Sequence, residues 1–109
     1  MINYIYGNEA PSVISCSTRL GQRQYTLRVM VEEVDDEMLG TWRWVEVTLP
    51  LGKFDYGTIV SHLVRAKYSQ DEMEAVLFNQ VPEELAEVQA WRALCKEEAH
   101  KVLQEISNL

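Results

Sequence analysis

Two histidines and two cysteines are the side chains of this chain best suited to metal binding or nucleophilic catalysis. Cys16 and Cys95 are far apart and form no C-x-x-C motif, and neither His62 nor His100 has a second ligand at metal-binding spacing. A zinc site needs about four ligands, so all four residues would have to be gathered by folding alone. The pattern favours histidines at the surface or at the core boundary, and predicts no metal and no cofactor.

The two thiols differ in their surroundings. Cys95 falls in the apolar stripe of a predicted helix, where burial raises the pKa of a thiol and suppresses its nucleophilicity. A nucleophile and its base can meet across a fold, so the sequence leaves such a pair open. Cys16, in a Ser-rich strand, is a slightly better candidate than Cys95. A reducing compartment disfavours a disulfide between them. We expect two free structural thiols and no catalytic residue.

Carboxylates are the most abundant reactive groups, and they are concentrated in two segments of the chain. Residues 32–37 read E-E-V-D-D-E, which lacks the glycine, the ligand alternation and the closing glutamate of an EF-hand calcium loop. A solvated hairpin tip explains this run better, and its charges oppose edge-to-edge pairing of sheets. The glutamates of residues 83–98 fall largely on a polar helix face. General acid–base catalysis needs a desolvated or closely paired carboxyl, and nothing in the pattern indicates one.

The segment Trp42-Arg43-Trp44 is the candidate interaction site. Strand alternation puts both indoles on the face opposite Val45, and two large aromatics on an outer face are unusual. One interpretation is that a strand, a helix or a second copy covers them. The other is a protein-interaction patch, since Trp and Arg are frequent hot-spot residues. We favour coverage for Trp44, and both interpretations stay open for Trp42.

Length and composition predict one globular domain over residues 1–109. Hydrophobic residues make up 47% and charged residues 25%, which is typical of a folded domain. The net charge is −7, and ten of the seventeen acidic residues follow position 54, which argues against a nucleic-acid partner. No apolar run is long enough to cross a membrane. The N-terminus lacks the features of a signal peptide, so we expect a soluble cytoplasmic protein.

Residues 1–53 predict an antiparallel β-meander of three to four strands. Apolar and polar residues alternate over 24–33 and 41–49, joined by an acidic turn, and weaker strand patterns cover 2–6 and 11–20. Placing Val29 opposite Val45 makes one face apolar and brings Arg28 to Glu46. The same register predicts four further pairs: Tyr25 with Leu49, Thr26 with Thr48, Leu27 with Val47, and Met30 with Trp44.

Residues 54–109 predict two to three helices. Asp55 is placed to cap a helix over 56–67, and Ser69 with Glu72 forms a capping box for a second helix that ends near 79. Pro82 opens a long last helix. Two apolar sets recur at helical spacing: Met73, Val76 and Leu77 in the second helix, and Val88, Trp91, Cys95, Ala99, Val102 and Ile106 in the last. The predicted fold is α+β, with the sheet packed against these helices.

Four segments carry a resemblance to a known group of proteins: 44–50 (W-V-E-V-T-L-P), 55–60 (D-Y-G-T-I-V), 67–75 (K-Y-S-Q-D-E-M-E-A) and 89–92 (Q-A-W-R). Together they resemble small uncharacterised proteins of bacterial prophages. The helical part is similar to the W-R-x-x-x-K ends of tail-fibre-associated phage proteins. The resemblance covers residues 42–109 and implies a non-enzymatic protein, virion-associated or assembly-related, in the host cytoplasm or the virion.

Three functional hypotheses follow. The first is a non-enzymatic interaction or structural protein with a protein partner or a second copy of itself. The second is a small enzyme or ligand-binding domain whose site lies between the sheet and the helices. The third is an inhibitor of a host defence that mimics nucleic acid through its acidic surface.

Overall fold

Four strands precede three helices in the computed structural model, which describes residues 2–107. The strands are β1 (Ile5–Gly7), β2 (Ile14–Arg19), β3 (Gln22–Asp36) and β4 (Gly40–Thr48). The helices are α1 (Tyr56–Arg65), α2 (Gln70–Asn79) and α3 (Pro82–Ser107). The predicted α+β fold is confirmed.

The strands form one antiparallel sheet in the order β1-β4-β3-β2, so that β2, β3 and β4 make a meander and β1 joins the β4 edge. Four predicted cross-strand pairs are present: Thr26 with Thr48, Leu27 with Val47, Arg28 with Glu46, and Val29 with Val45. Arg28 Nε donates to Glu46 Oε1 at 2.8 Å. Beyond the end of β4, the Leu49 amide donates to the Tyr25 carbonyl at 2.9 Å. The predicted register is therefore confirmed in this half of the hairpin.

A β-bulge replaces the predicted pairing of Met30 with Trp44. The next pair after Val29 and Val45 is Glu32 with Arg43, so β3 contains one extra residue at this point. Met30 has a φ of 54°, a left-handed conformation that is uncommon for a non-glycine residue. Bulges bend a strand and increase its twist. The far half of the β3–β4 hairpin therefore takes its own direction relative to the half that carries the core.

The tip of this hairpin is fixed by local hydrogen bonds and a close backbone approach. Asp36 Oδ1 accepts from the amides of Met38 and Leu39 at 2.9 and 3.0 Å, an arrangement typical of turns. Gly40 has a φ of 140°, and a Cβ at this position would lie 2.6 Å from the Gly7 carbonyl oxygen. Only glycine fits here, and it allows β1 to lie directly against the start of β4.

The core lies between one face of the sheet and helices α1 and α3. Its fully or nearly fully buried members are Leu27, Val29, Val45 and Leu49 from the sheet side, Ile59 and Leu63 from α1, and Trp91, Cys95, Ala99 and Val102 from α3. The Trp91 indole Nε1 donates to the carbonyls of Leu63 and Val64 at 3.2 and 3.3 Å. These bonds anchor α3 across the C-terminal turn of α1, where the same carbonyls also accept from the backbone amides of residues 66–68.

Both predicted helix caps are confirmed. Asp55 Oδ2 accepts from the Thr58 amide at 3.0 Å, and the Thr58 hydroxyl and amide lower the pKa of this carboxyl. Ser69 and Glu72 exchange both bonds of the capping box.

Two expectations about the helices differ from the structure. Helix α1 ends at Arg65, two residues before the predicted end. The predicted burial of Leu77 is wrong, because its side chain is 54% exposed. Helix α2 packs chiefly along α3, away from the sheet layer that would have covered this residue. The side chain of Ile106, predicted in the α3 stripe, lies outside the part of the chain that the structure describes.

Candidate interaction surface

Strands β1 and β4 together position the candidate residues Trp42, Arg43 and Trp44. Gly7 pairs with Trp42, Tyr6 with Arg43, and Ile5 with Trp44. Directly opposed residues of an antiparallel pair share a face, and neighbours along a strand alternate. The two indoles therefore share one face with Ile5 and Gly7, whereas Arg43 lies on the other face.

Trp44 is buried by the sheet itself. Its side chain is 8% exposed, and a Cβ on Gly7 would lie 2.8 Å from the indole Cη2. The absence of a side chain at Gly7 thus makes room for the ring. The indole Nε1 donates to Glu46 Oε1 at 3.4 Å, which satisfies its one polar group. Trp44 is a packing residue of the outer face and offers little surface to a partner.

Arg43 is held by neighbours on both sides. Its Nε and Nη2 contact Glu32 Oε2 at 2.9 and 2.8 Å, and its guanidinium carbon lies 4.2 Å from the centroid of the Tyr4 ring. The hydrogen bond that Arg43 donates to Glu32, followed by the one it donates to Tyr6, raises the pKa of Arg43 above its ordinary value. The side chain is therefore a fixed cation, with 30% of its surface still accessible.

Trp42 remains half-buried beside exposed apolar neighbours. It pairs with Glu33 on β3 and with Gly7 on β1, and Ile5 on the same face is 42% exposed. Three residues before Trp42, the hairpin tip presents Met38 at 94% and Leu39 at 56% exposure. We call Trp42, Met38 and Leu39 the hairpin-end surface.

Met38 and Leu39 are not singled out by the sequence pattern, which indicates a solvated acidic tip. The available signal was a pair of large apolar residues inside a turn whose other members are polar or charged. Two carboxylates of this segment are already in use: Glu32 pairs with Arg43, and Asp36 accepts the two amides of the turn.

The histidines and thiols are placed apart. His62 Nδ1 contacts the Thr58 carbonyl oxygen at 2.9 Å within α1, and His100 lies against the Tyr56 ring with 4.8 Å between ring centroids. Cys16 is exposed and Cys95 is buried, and both are free. Burial raises the pKa of Cys95 to about 12 and keeps its thiol protonated at neutral pH. Among the described residues, no three His, Cys, Asp or Glu side chains are grouped to hold a metal ion.

The space between the sheet and the helices is largely filled by core side chains. At its margin, beside the start of β2, there is a cleft of about 450 Å³ bounded by Met30 and Val31 of β3 and by Glu98 and Lys101 of α3. Lys101 Nζ lies 3.7 Å from Glu98 Oε1, so these two charges face each other across one helical turn. The cleft brings together no nucleophile with a base.

Comparison with known proteins gives no relative from which a role could be transferred. No family model matches the chain, and no curated protein or solved structure is significantly similar to it. None of the helices in residues 2–107 has the length and apolar character needed to span a membrane.

Proposed function

We propose that this chain is a non-enzymatic protein-interaction module that contacts a protein partner through the hairpin-end surface. The observation that carries the proposal is the exposure of Met38 and Leu39 on a turn that is rigidly built. A large apolar side chain that is 94% exposed contributes nothing to the fold. It does provide apolar area for burial when a partner binds.

Rigidity favours this surface as a binding element. The turn is fixed by Asp36, β1 lies against Gly40, and Arg43 is held between Glu32 and Tyr4. A surface that is already ordered loses little conformational entropy on association. The half-buried Trp42 adds an aromatic ring of the kind that dominates binding energy at interfaces.

The acidic residues around the tip indicate the charge of the partner surface. The residues flanking the tip are Glu32, Glu33, Asp35, Asp36 and Glu37, and only Glu32 has a cationic partner within residues 2–107. The partner surface is therefore an apolar pocket with a basic rim. Complementary charges of this kind speed association and exclude acidic surfaces.

Photo-crosslinking tests the proposal, with a matched control in the same chain. Leu20 is 90% exposed in the β2–β3 turn and, like the tip, is an apolar residue at the end of a hairpin. With a benzophenone amino acid at position 38, we expect one dominant adduct in an extract of the source cell. The same probe at position 20 should give none. Equal labelling from both positions, or none from position 38, would overturn the proposal.

Variants sharpen the same test. Met38→Ser combined with Leu39→Ser should abolish the adduct formed from a probe at Trp42 while leaving the free energy of unfolding within about 0.5 kcal/mol of the parent, as is usual for exposed sites. Leu20→Ser should leave the adduct unchanged. Light scattering during size-exclusion chromatography identifies the case in which the partner is a second copy. A dimer that dissociates in the double variant would assign the surface to self-association.

The biological setting belongs to the same proposal and rests on the residue pattern of 42–109. That pattern resembles prophage proteins and the ends of tail-fibre-associated proteins, so we propose a virion-associated or assembly-related role in the host cytoplasm or the particle. Mass spectrometry of purified particles from an induced culture tests it. The chain should be found in the particles or in assembly intermediates. Flanking genes without tail or capsid functions would contradict this assignment.

A further inference from the structure

A second feature lies in the helical half, away from the hairpin. Helices α1, α2 and α3 meet around an open groove of about 460 Å³, a size typical of small-molecule sites. Its apolar wall consists of Tyr56, Val60, Val64, Tyr68 and Met73. All five side chains are partly buried, so the wall is already formed by the packing of the helices.

The charged residues of the groove all have one sign. The only ionised residues that line it are Arg65 of α1 and Arg92 of α3, and none of its lining residues is an aspartate or glutamate. The Lys67 ammonium lies 5.4 Å from the centroid of the Tyr68 ring, which adds a third cation beside the wall. In a chain with a net charge of −7, a groove whose two charged lining residues are both arginines is a local reversal of charge.

Arg92 is the strongest indication of an anion site, because no carboxylate of the described residues neutralises its guanidinium. Within residues 2–107, no hydrogen bond or ion pair holds its guanidinium. The positions three and four residues away on α3 are Val88, Gln89, Cys95 and Lys96, so the helix supplies no carboxylate either. Three other cations among the described residues, Arg28, Arg43 and Lys101, have a carboxylate partner.

Arg65 is oriented rather than neutralised. Its Nη2 donates to Ser61 Oγ at 2.7 Å, and Ser61 also lines the groove. A hydroxyl fixes the position of the guanidinium without removing its charge. Since a guanidinium presents five donors, further N–H groups remain for a ligand.

From these observations we propose that the groove binds a small amphipathic anion, with an apolar body against the Tyr68 and Met73 wall and an acidic head between Arg65 and Arg92. Guanidinium groups bind carboxylates and sulfonates through paired hydrogen bonds, and an adjoining apolar surface strengthens such bonds by excluding water. The dimensions favour one chain of about ten carbons or two fused rings over a peptide helix.

The wall contributed by α2 gives the site a second property. Helix α2 buries none of its ten residues, all of which the structure describes, so little tertiary packing holds it in place. A ligand that contacts Met73 adds apolar contact between α2 and α1. Ligand binding therefore stabilises α2 more than the rest of the fold.

Two probes of equal chain length and opposite charge test the proposal: decanoate and decyltrimethylammonium, both below their micelle concentrations. Amide chemical-shift perturbations by NMR give both the affinity and the place of binding. We expect decanoate to perturb Tyr68, Met73 and Arg92, and to bind at least tenfold more tightly than the cation. When the groove is saturated with decanoate, amide exchange in α2 should slow about tenfold.

Arginine variants separate charge from apolar contact. Arg92→Gln should weaken decanoate binding at least fivefold. Arg92→Lys keeps the charge but loses the paired hydrogen bonds, so it should weaken binding less than Arg92→Gln does. Arg19→Gln, at an exposed arginine on β2, should have no effect. Exposed Arg92 makes no contact needed for folding, so all three variants should keep the parent melting temperature. Equal affinity for both probes, perturbations outside the groove, no decanoate binding up to millimolar concentration, or an unchanged affinity in Arg92→Gln would each overturn the proposal.

Discussion

Helices α1 and α2 are both ten residues long, and both begin at a well-formed cap. Their fates differ. Helix α1 places Ile59 and Leu63 in the core at 0% exposure, whereas α2 leaves Leu77 at 54% and Phe78 at 88%. Capping fixes where a helix begins, but it supplies only about 1 kcal/mol. Burial against a second layer supplies most of the stability of a helix in a protein, and only α1 obtains it.

This difference in packing also bears on the proposed groove. The well-packed pair of α1 and α3 forms a rigid floor, fixed by the bonds from Trp91 to the end of α1. Helix α2 is attached to this floor mainly along α3. Regions of low local stability are the ones that respond to ligands, which is why the proposed groove lies where a rigid and a loosely held helix meet.

The largest effect is expected from a matched pair of leucine variants. Leu63→Ala removes a fully buried side chain and should lower the free energy of unfolding by about 2–5 kcal/mol. Leu77→Ala makes the same change on α2 and should stay within about 0.5 kcal/mol of the parent. Urea unfolding followed by circular dichroism measures both. Equal losses would mean that α2 is packed as tightly as α1, contrary to the comparison.

A smaller effect is expected when the link between α1 and α3 is cut. Trp91→Phe keeps an aromatic ring but removes the donor to the carbonyls of Leu63 and Val64. Both carbonyls keep backbone partners, so the expected loss of stability is that of a buried hydrogen bond, about 0.5–1.5 kcal/mol. Trp42→Phe is the control, since no bond of this kind would be lost. A stability loss in Trp91→Phe no larger than in the control would show that packing alone holds α3.

The cap of α2 should act locally. Ser69→Ala removes the acceptor for the Glu72 amide and should destabilise the start of α2 by about 1 kcal/mol. Because α2 buries little, amide exchange in residues 70–79 should accelerate while exchange in α1 stays unchanged. Ser17→Ala, on an exposed strand position, serves as the control. Faster exchange throughout the chain would indicate that α2 unfolds only together with the core.

The two thiols give a further contrast between an exposed and a buried position. Testing it needs no substitution, so the stability of the fold at neutral pH stays unchanged. Native protein at pH 8 should react with a thiol reagent at exposed Cys16 only, and unfolded protein at both cysteines. Burial raises the pKa of Cys95 to about 12, so the protonated thiol stabilises the fold below its unfolded pKa. That contribution should disappear as the pH rises from about 9 towards 12. Rapid labelling of Cys95 at pH 8 would contradict a closed α3 core.

Local patterns were sufficient for much of the fold. Alternation over residues 24–33 and 41–49, together with the Arg28–Glu46 pair, predicts the register, because a slip by one residue would expose the apolar face. The capping box at Ser69 involves residues three positions apart and needs no tertiary information. These features depend on neighbours in sequence or on one adjacent strand.

The accessibility of the candidate segment depends on residues distant in the chain. The segment 42–44 was singled out, but the sequence could not say which of its side chains stays accessible. Gly7 decides this, because it lies 37 positions before Trp44 and yet makes room for its ring. The sequence pattern does not single out Met38 and Leu39, because the acidic residues around them predict a solvated turn.

The sequence by itself determined the α+β class, the strand register near the core, and both capped helix starts, since each of these follows from spacings of two to four residues. Only the tertiary structure decided the bulge at Met30, the space that Gly7 leaves for the Trp44 ring and the groove between the three helices. Each of those depends on segments distant in the chain that meet after the core has formed. Their relative positions are set by how whole layers pack, which no short pattern of residues encodes.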